Sequence, residues 1–178
     1  MSNLPLIDPA TATGATADLL AAVQRGLGVT PNMTRAMANA PALLDGYLAL
    51  SGALSRGALT AATRERIALA VAQDNACDYC LSAHSYLAEH AAKLSADDIA
   101  AAREGANDDP KIAALLAFAV AVNSARGGVS THDLDVVRAA GASDEELTEV
   151  LGHVALNVLT NYFNKAAAVD IDFPIVAA

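Results

Sequence analysis

The chain has no tryptophan, and its three phenylalanines and four tyrosines make up only 4% of 178 residues. Without large rings, the core must be built from alanine and aliphatic side chains. Basic residues are also scarce. Eleven Lys and Arg stand against 20 Asp and Glu, a net charge of −9 with no Lys/Arg-rich run, which argues against a nucleic-acid or anionic-membrane surface. Charged residues reach just 17% while apolar ones reach 54%. That much apolar surface is most simply hidden between subunits, so a homo-oligomer is expected. Long apolar runs are missing too. The longest, Ile112 to Val122, falls well short of the ~20 residues a bilayer requires. The opening Met1-Ser2-Asn3-Leu4-Pro5 lacks the zones of a signal peptide, so the expected location is cytoplasmic.

Two absences bear on organisation. Alternating β-branched runs do not occur, and no linker or low-complexity break divides the chain. Residues 1–13, with Pro5 and Pro9, read as an extended arm, and 14–178 as a single all-α domain. Helices are predicted at about 15–25, 33–38, 42–55, 61–74, 76–92, 96–104, 110–125, 131–140 and 144–167, from apolar periodicity and Gly/Pro punctuation. Ser95, Ser130 and Ser143 each precede an acidic residue by three (Asp98, Asp133 and Glu146), the spacing of a helix-starting capping box. Pro110 suits a first helical turn, where its missing N–H costs nothing.

Cysteine is nearly absent as well, which gives weight to the two that remain. They lie three apart in Asn75-Ala76-Cys77-Asp78-Tyr79-Cys80-Leu81-Ser82-Ala83-His84. A lone Cys-x-x-Cys points to redox or metal chemistry, and in a reducing compartment a close dithiol is more often catalytic than structural. With Asn75 as N-cap, Cys77 falls in the first helical turn, where the dipole favours a thiolate. Steps of three, four and seven then put Cys77, Cys80 and His84 on one stripe with Leu81, Leu87, Ala88 and Ala91. Asp78, Ser82, Ser85 and Glu89 take the wetter side. Glu65 shares its helix face with Ala68, Leu69 and Ala72, and a carboxylate among apolar neighbours needs a partner. It lies ten residues before Asn75 and His84 nine after it, so an antiparallel helical hairpin brings the two to one height. Glu65 would orient the His84 ring, and His84 would take a proton from Cys80. Cys80 is the expected attacker and Cys77 the resolver.

This pattern of Glu65, eleven residues, Cys77-x-x-Cys80, three residues and His84 resembles the active-site motif of the alkylhydroperoxidase D (AhpD)-like proteins of the carboxymuconolactone decarboxylase-like superfamily. The flanks Ile67-Ala68-Leu69-Ala70-Val71-Ala72 and Ala83-His84 and the approach Gly28-Val29-Thr30-Pro31-Asn32 look similar as well. The resemblance implies an AhpD-like all-α fold, Glu65 and His84 as proton relay, and Cys77 and Cys80 as redox dithiol. It also implies a hydroperoxide substrate, a lipoyl-type or other external dithiol reductant, and trimers or hexamers. No cofactor is implied. One position departs from it. Tyr79 stands where the well-studied members carry a histidine, and a phenol is no base at neutral pH.

Other readings remain open. Cys77, Cys80 and His84, with Glu65 or His90, contain zinc-type ligands, but a second well-spaced ligand pair is missing. A carboxymuconolactone decarboxylase-type lyase needs no dithiol, and a non-catalytic redox sensor would share it. His90 and His132 read as surface or cap-adjacent. His153 lies inside an apolar helix. Asn157, Asn161, Tyr162 and Asn164 form a polar patch suited to packing, with a pocket wall as the lesser reading.

Overall fold

Several helix boundaries are set by local rules before any packing is considered. The computed structural model describes all 178 residues and contains nine helices and no strand: α1 (Gly14–Leu27), α2 (Asn32–Met37), α3 (Pro41–Leu54), α4 (Ala61–Asp74), α5 (Asp78–His90), α6 (Ala96–Arg103), α7 (Pro110–Ser124), α8 (Thr131–Ala139) and α9 (Asp144–Ala166). Capping boxes start α6, α8 and α9 at Ser95, Ser130 and Ser143. Each satisfies two otherwise orphaned backbone donors. Pro110 opens α7, and Asp109 accepts the N–H groups of Lys111 and Ile112.

The organising element is α4, which packs against α5, α6, α7 and α9. Ile67 to Ala72 are all buried, at 3% exposure or less, so the helix is enclosed on every side through its middle. Ile67 and Val71 join a cluster with Leu115 and Phe118 of α7 and Val150 and Val154 of α9. Leu69 and Ala72 join another with Cys77, Cys80 and Leu81. A third cluster, around Leu20, Met37 and Leu44, ties α1, α2 and α3 together. Ala68, Ala70 and Ala72 carry almost no side chain, which lets neighbouring backbones approach. That is how a ring-poor chain reaches dense packing.

Both ends are pinned. Residues 1–13 form no helix, yet the Asn3 N–H donates to Ala167 O at 2.7 Å and the Ile7 N–H to Arg35 O at 3.2 Å. After α9 the chain returns over α5, where Ile171, Phe173 and Val176 pack against the cluster containing the cysteines. No helix is long and apolar enough to cross a membrane.

Candidate functional site

The site grows from the turn between α4 and α5. Ala76 adopts a left-handed φ of 47°. The N–H of Ala76 reaches Gln73 O at 3.0 Å and that of Cys77 reaches Ala72 O at 3.0 Å. Those two bonds are a Schellman motif, with the left-handed Ala76 one residue after the C-cap, and they end α4 at Asp74. Asn75 is therefore the C-cap of α4 rather than the N-cap of the next helix, and Cys77 takes the N-cap role, its sulfur accepting the Cys80 N–H at 3.3 Å. The expected start at 76 moves to 78 for this reason. The Asn75 side chain is committed elsewhere, donating to Asn161 Oδ1 at 2.9 Å and accepting from Asn123 Nδ2 at 2.9 Å.

Cys77 and Cys80 are joined as a disulfide with Cα atoms 5.3 Å apart, and both are buried. The two sulfurs have different surroundings. The Cys77 sulfur lies at the helix N-terminus, facing a backbone donor. The Cys80 sulfur receives the Asn164 Nδ2 amide at 3.4 Å, and Cys80 lines a cavity of about 110 Å³. Met33, Tyr47, Tyr86, Leu87 and Phe173 supply much of its wall, and no Lys, Arg, His, Asp or Glu lines it. Of the four predicted site residues, Cys80 alone reaches this cavity.

Glu65 on α4 and His84 on α5 meet as expected from their spacing about the turn, Oε2 to Nδ1 at 2.8 Å. They are 22% and 24% exposed, so the pair is shielded but within reach of water. A carboxylate on Nδ1 fixes the tautomer and leaves Nε2 for proton exchange. Tyr47, which lines the cavity, is held protonated. Burial raises its phenol above the ordinary range, and the Glu65 charge adds to the effect. Behind the pair, His153 is buried with Nε2 unpartnered. Burial foremost, and then the Arg64 charge, lower its pKa against the opposing pull of Glu149 and Glu65, so it is neutral at pH 7.

Tyr79 has a structural task. Its hydroxyl donates to Asp172 Oδ1 at 2.8 Å and accepts the Met33 N–H at 3.1 Å, while Asp172 Oδ2 accepts the Asn32 N–H at 2.8 Å. One phenol thus joins α5, the start of α2 and the C-terminal segment. Burial, partly offset by the Met33 N–H, pushes its pKa far up, and it acts as a neutral donor and acceptor.

Two expectations about faces need correction. Ser82 is fully buried. It accepts the Val176 N–H at 2.9 Å, because the C-terminal segment covers what would otherwise be the wet side of α5. Ala91, placed on the buried stripe, is exposed, since α5 ends at His90. Asn164, expected mainly to pack, instead lines the cavity and touches the Cys80 sulfur with its amide. The i, i+4, i+7 spacing of Asn157, Asn161 and Asn164 on α9 was the signal that these amides share one inward face. His90 stacks on Tyr86 with ring centres 4.1 Å apart. No three His, Cys, Asp or Glu side chains converge as a metal-ligand set.

Residues 41–121 match the model of the Carboxymuconolactone decarboxylase family. No functionally curated protein gives a significant match. Among solved structures, the chain resembles a peroxidase-related protein with an alkylhydroperoxidase AhpD core from Ralstonia eutropha JMP134. Identity is 27%, coverage 96% of this chain and 92% of that one, and the TM-score 0.84. A peroxidase-related protein from Silicibacter sp. TM1040 matches at 24% identity, 94% and 88% coverage and a TM-score of 0.81. The debrominase Bmp8, as a cysteine-to-alanine variant with 2,3,4-tribromopyrrole, shares the fold at 21% identity, 87% and 84% coverage and a TM-score of 0.75. The family match and the likeness to an alkylhydroperoxidase AhpD core together support an AhpD-like protein of the carboxymuconolactone decarboxylase-like superfamily.

Proposed function

We propose that the chain is a thiol-dependent peroxidase that cycles Cys77 and Cys80 between dithiol and disulfide. The observation that carries this reading is the buried Cys77–Cys80 disulfide at the start of the helix that carries His84, itself held by Glu65 at 2.8 Å. Cys80 attacks, since it borders the cavity and His84 follows it by one helical turn. His84 takes the Cys80 proton, directly or through a water. The thiolate attacks the terminal peroxide oxygen, the O–O bond breaks, and the departing alkoxide receives that proton as an alcohol. Cys77 then displaces water from the Cys80 sulfenic acid, closing the disulfide. An external dithiol, of lipoyl type or similar, restores the pair by thiol–disulfide exchange. The test is a thiol count before and after one equivalent of cumene hydroperoxide. Two thiols lost per chain and regained with dihydrolipoamide support the cycle, and an unchanged count rejects it.

The cavity bears on the alternatives. A lactone acid would bring carboxylate into a space whose lining carries no cation, an unfavourable transfer, so the lyase reading loses support. The same uncharged, ring-lined wall favours one second reading, reductive dehalogenation of a small haloaromatic. There the Cys80 thiolate would take the halogen from the ring as a sulfenyl halide, the ring carbon would take a proton, and Cys77 would displace halide as the disulfide closes. Bromide release from 2,3,4-tribromopyrrole by the reduced protein distinguishes it. A homo-oligomer is proposed through the exposed face of α9 carrying Leu151 and Tyr162, and light scattering in solution tests it.

A further inference from the structure

Three buried asparagines face inward from α9, and the last of them makes no ordinary structural sense. Asn157 donates to His153 O at 2.9 Å, and Asn161 accepts from Asn75 at 2.9 Å. Asn164, 3% exposed, spends its Nδ2 on two sulfurs, Met33 Sδ at 3.3 Å and Cys80 Sγ at 3.4 Å. Its Oδ1 is buried without a partner. A thioether and a disulfide sulfur are weak acceptors and never donors. The edge facing them is therefore the NH₂ edge, and in the oxidised state this amide is poorly compensated for its burial. A leucine would fill the same space without that cost. The compensation comes when one of the sulfurs turns anionic. Met33 cannot, whereas Cys80 does each time the disulfide opens.

Resting on the redox reading above, we propose that Asn164 is a positioning residue for Cys80, its amide N–H groups receiving the Cys80 thiolate and holding it at the cavity wall. The two sulfurs then have matched supports. A reductant thiolate attacks Cys80 from the cavity and the S–S bond breaks. Its electron pair leaves on Cys77, where the Cys80 N–H receives the charge at the helix N-terminus. The reductant's second thiol next attacks its own sulfur in the mixed disulfide. The reductant closes as a disulfide, and Cys80 departs as a thiolate onto Asn164 Nδ2. Two electrons move from the dithiol to the protein. A charge-assisted hydrogen bond of this kind is about twice as strong as a neutral one, so the amide favours the reduced form and the nucleophile together.

The experiment titrates the Cys80 thiolate by its absorbance near 240 nm in the reduced full-length Cys77→Ser protein, with and without Asn164→Leu. The expected result is a rise in the Cys80 midpoint of roughly one pH unit, tenfold less thiolate below the midpoint, with Asn164→Ser restoring part of it through its hydroxyl. Should the leucine variant not fold, Asn164→Ala provides the same comparison. A midpoint that stays put or falls in the donor-free variant overturns the proposal. Peroxide consumption by the unaltered chain is measured in parallel. A shifted midpoint without turnover leaves Asn164's role standing and removes the peroxidase reading, whereas turnover with an unshifted midpoint does the reverse.

Discussion

Glu65 and His84 act as one unit, and a double-mutant cycle measures that unity. Their 2.8 Å contact is less than a quarter exposed on either side, so solvent screening is limited. A hydrogen bond to a charged group contributes about 1.5–3 kcal/mol. At 1.36 kcal/mol per tenfold, losing it through Glu65→Ala should slow oxidation of the dithiol by about 10- to 150-fold. Glu65→Gln keeps an acceptor for Nδ1–H but not the charge, and should cost roughly half as much in free energy. Removing the base itself, His84→Asn, should cost about 10²- to 10⁴-fold. The informative corner is the double variant. Once the imidazole is gone, Glu65→Ala has nothing left to orient and should add less than about threefold. The chain has no tryptophan to report on the reaction, so the rate is followed by rapid acid quench and thiol titration against cumene hydroperoxide. If Glu65→Ala slows the His84→Asn protein as much as it slows the unaltered one, the two residues act independently and the relay is refuted.

Three further outcomes are expected. Cys80→Ser should abolish the first peroxide-dependent step, while Cys77→Ser should still consume one equivalent and stop at the sulfenic acid, trapped by dimedone. The opposite pattern reverses attacker and resolver. Tyr79→Phe strips a hydroxyl from between Asp172 and the Met33 N–H. It should cost about 1–3 kcal/mol, seen as a fall of several degrees in Tm, and an unchanged Tm would show that the phenol ties nothing together. His153 is kept neutral by burial, its pKa lowered from 6.5. The unfolded chain then binds its proton more readily, and stability is lost as pH drops through and below that value. Urea unfolding at pH 7.5 and 5.5 should show a smaller acid loss for His153→Gln than for the unaltered chain. The lowered carboxylates, such as Asp98 at about 2, act only at lower pH. Equal losses in the two chains would assign the effect to other groups.

What could be read in advance was whatever depends on near neighbours. The serine-started helices follow from residues three apart, and α4 spans 61–74 as its periodicity indicates. The meeting of Glu65 and His84 follows from counting outward from a tight turn. The turn itself was misassigned by two residues, because Asn75 is locally a good N-cap. Asn123 and Asn161, 48 and 86 positions away, claim its side chain, and no local rule reveals them. Ser82 was misplaced for a similar reason. The segment around Val176 that covers it has no periodicity to announce where it will lie. Asn164 was legible in position but not in purpose, since its neighbour in space, Cys80, is 84 positions distant.

The enclosure of α4 has a mechanical consequence. A rod gripped along six successive residues cannot tilt or slide without disturbing several neighbours at once, so its amides should be among the slowest in the molecule to exchange with deuterium. Glu65 is mounted two residues before that grip begins. The carboxylate is thereby anchored to the stiffest part of the frame, and whatever compliance a catalytic cycle demands must come from the sulfur-bearing helix and the strap of chain that crosses it.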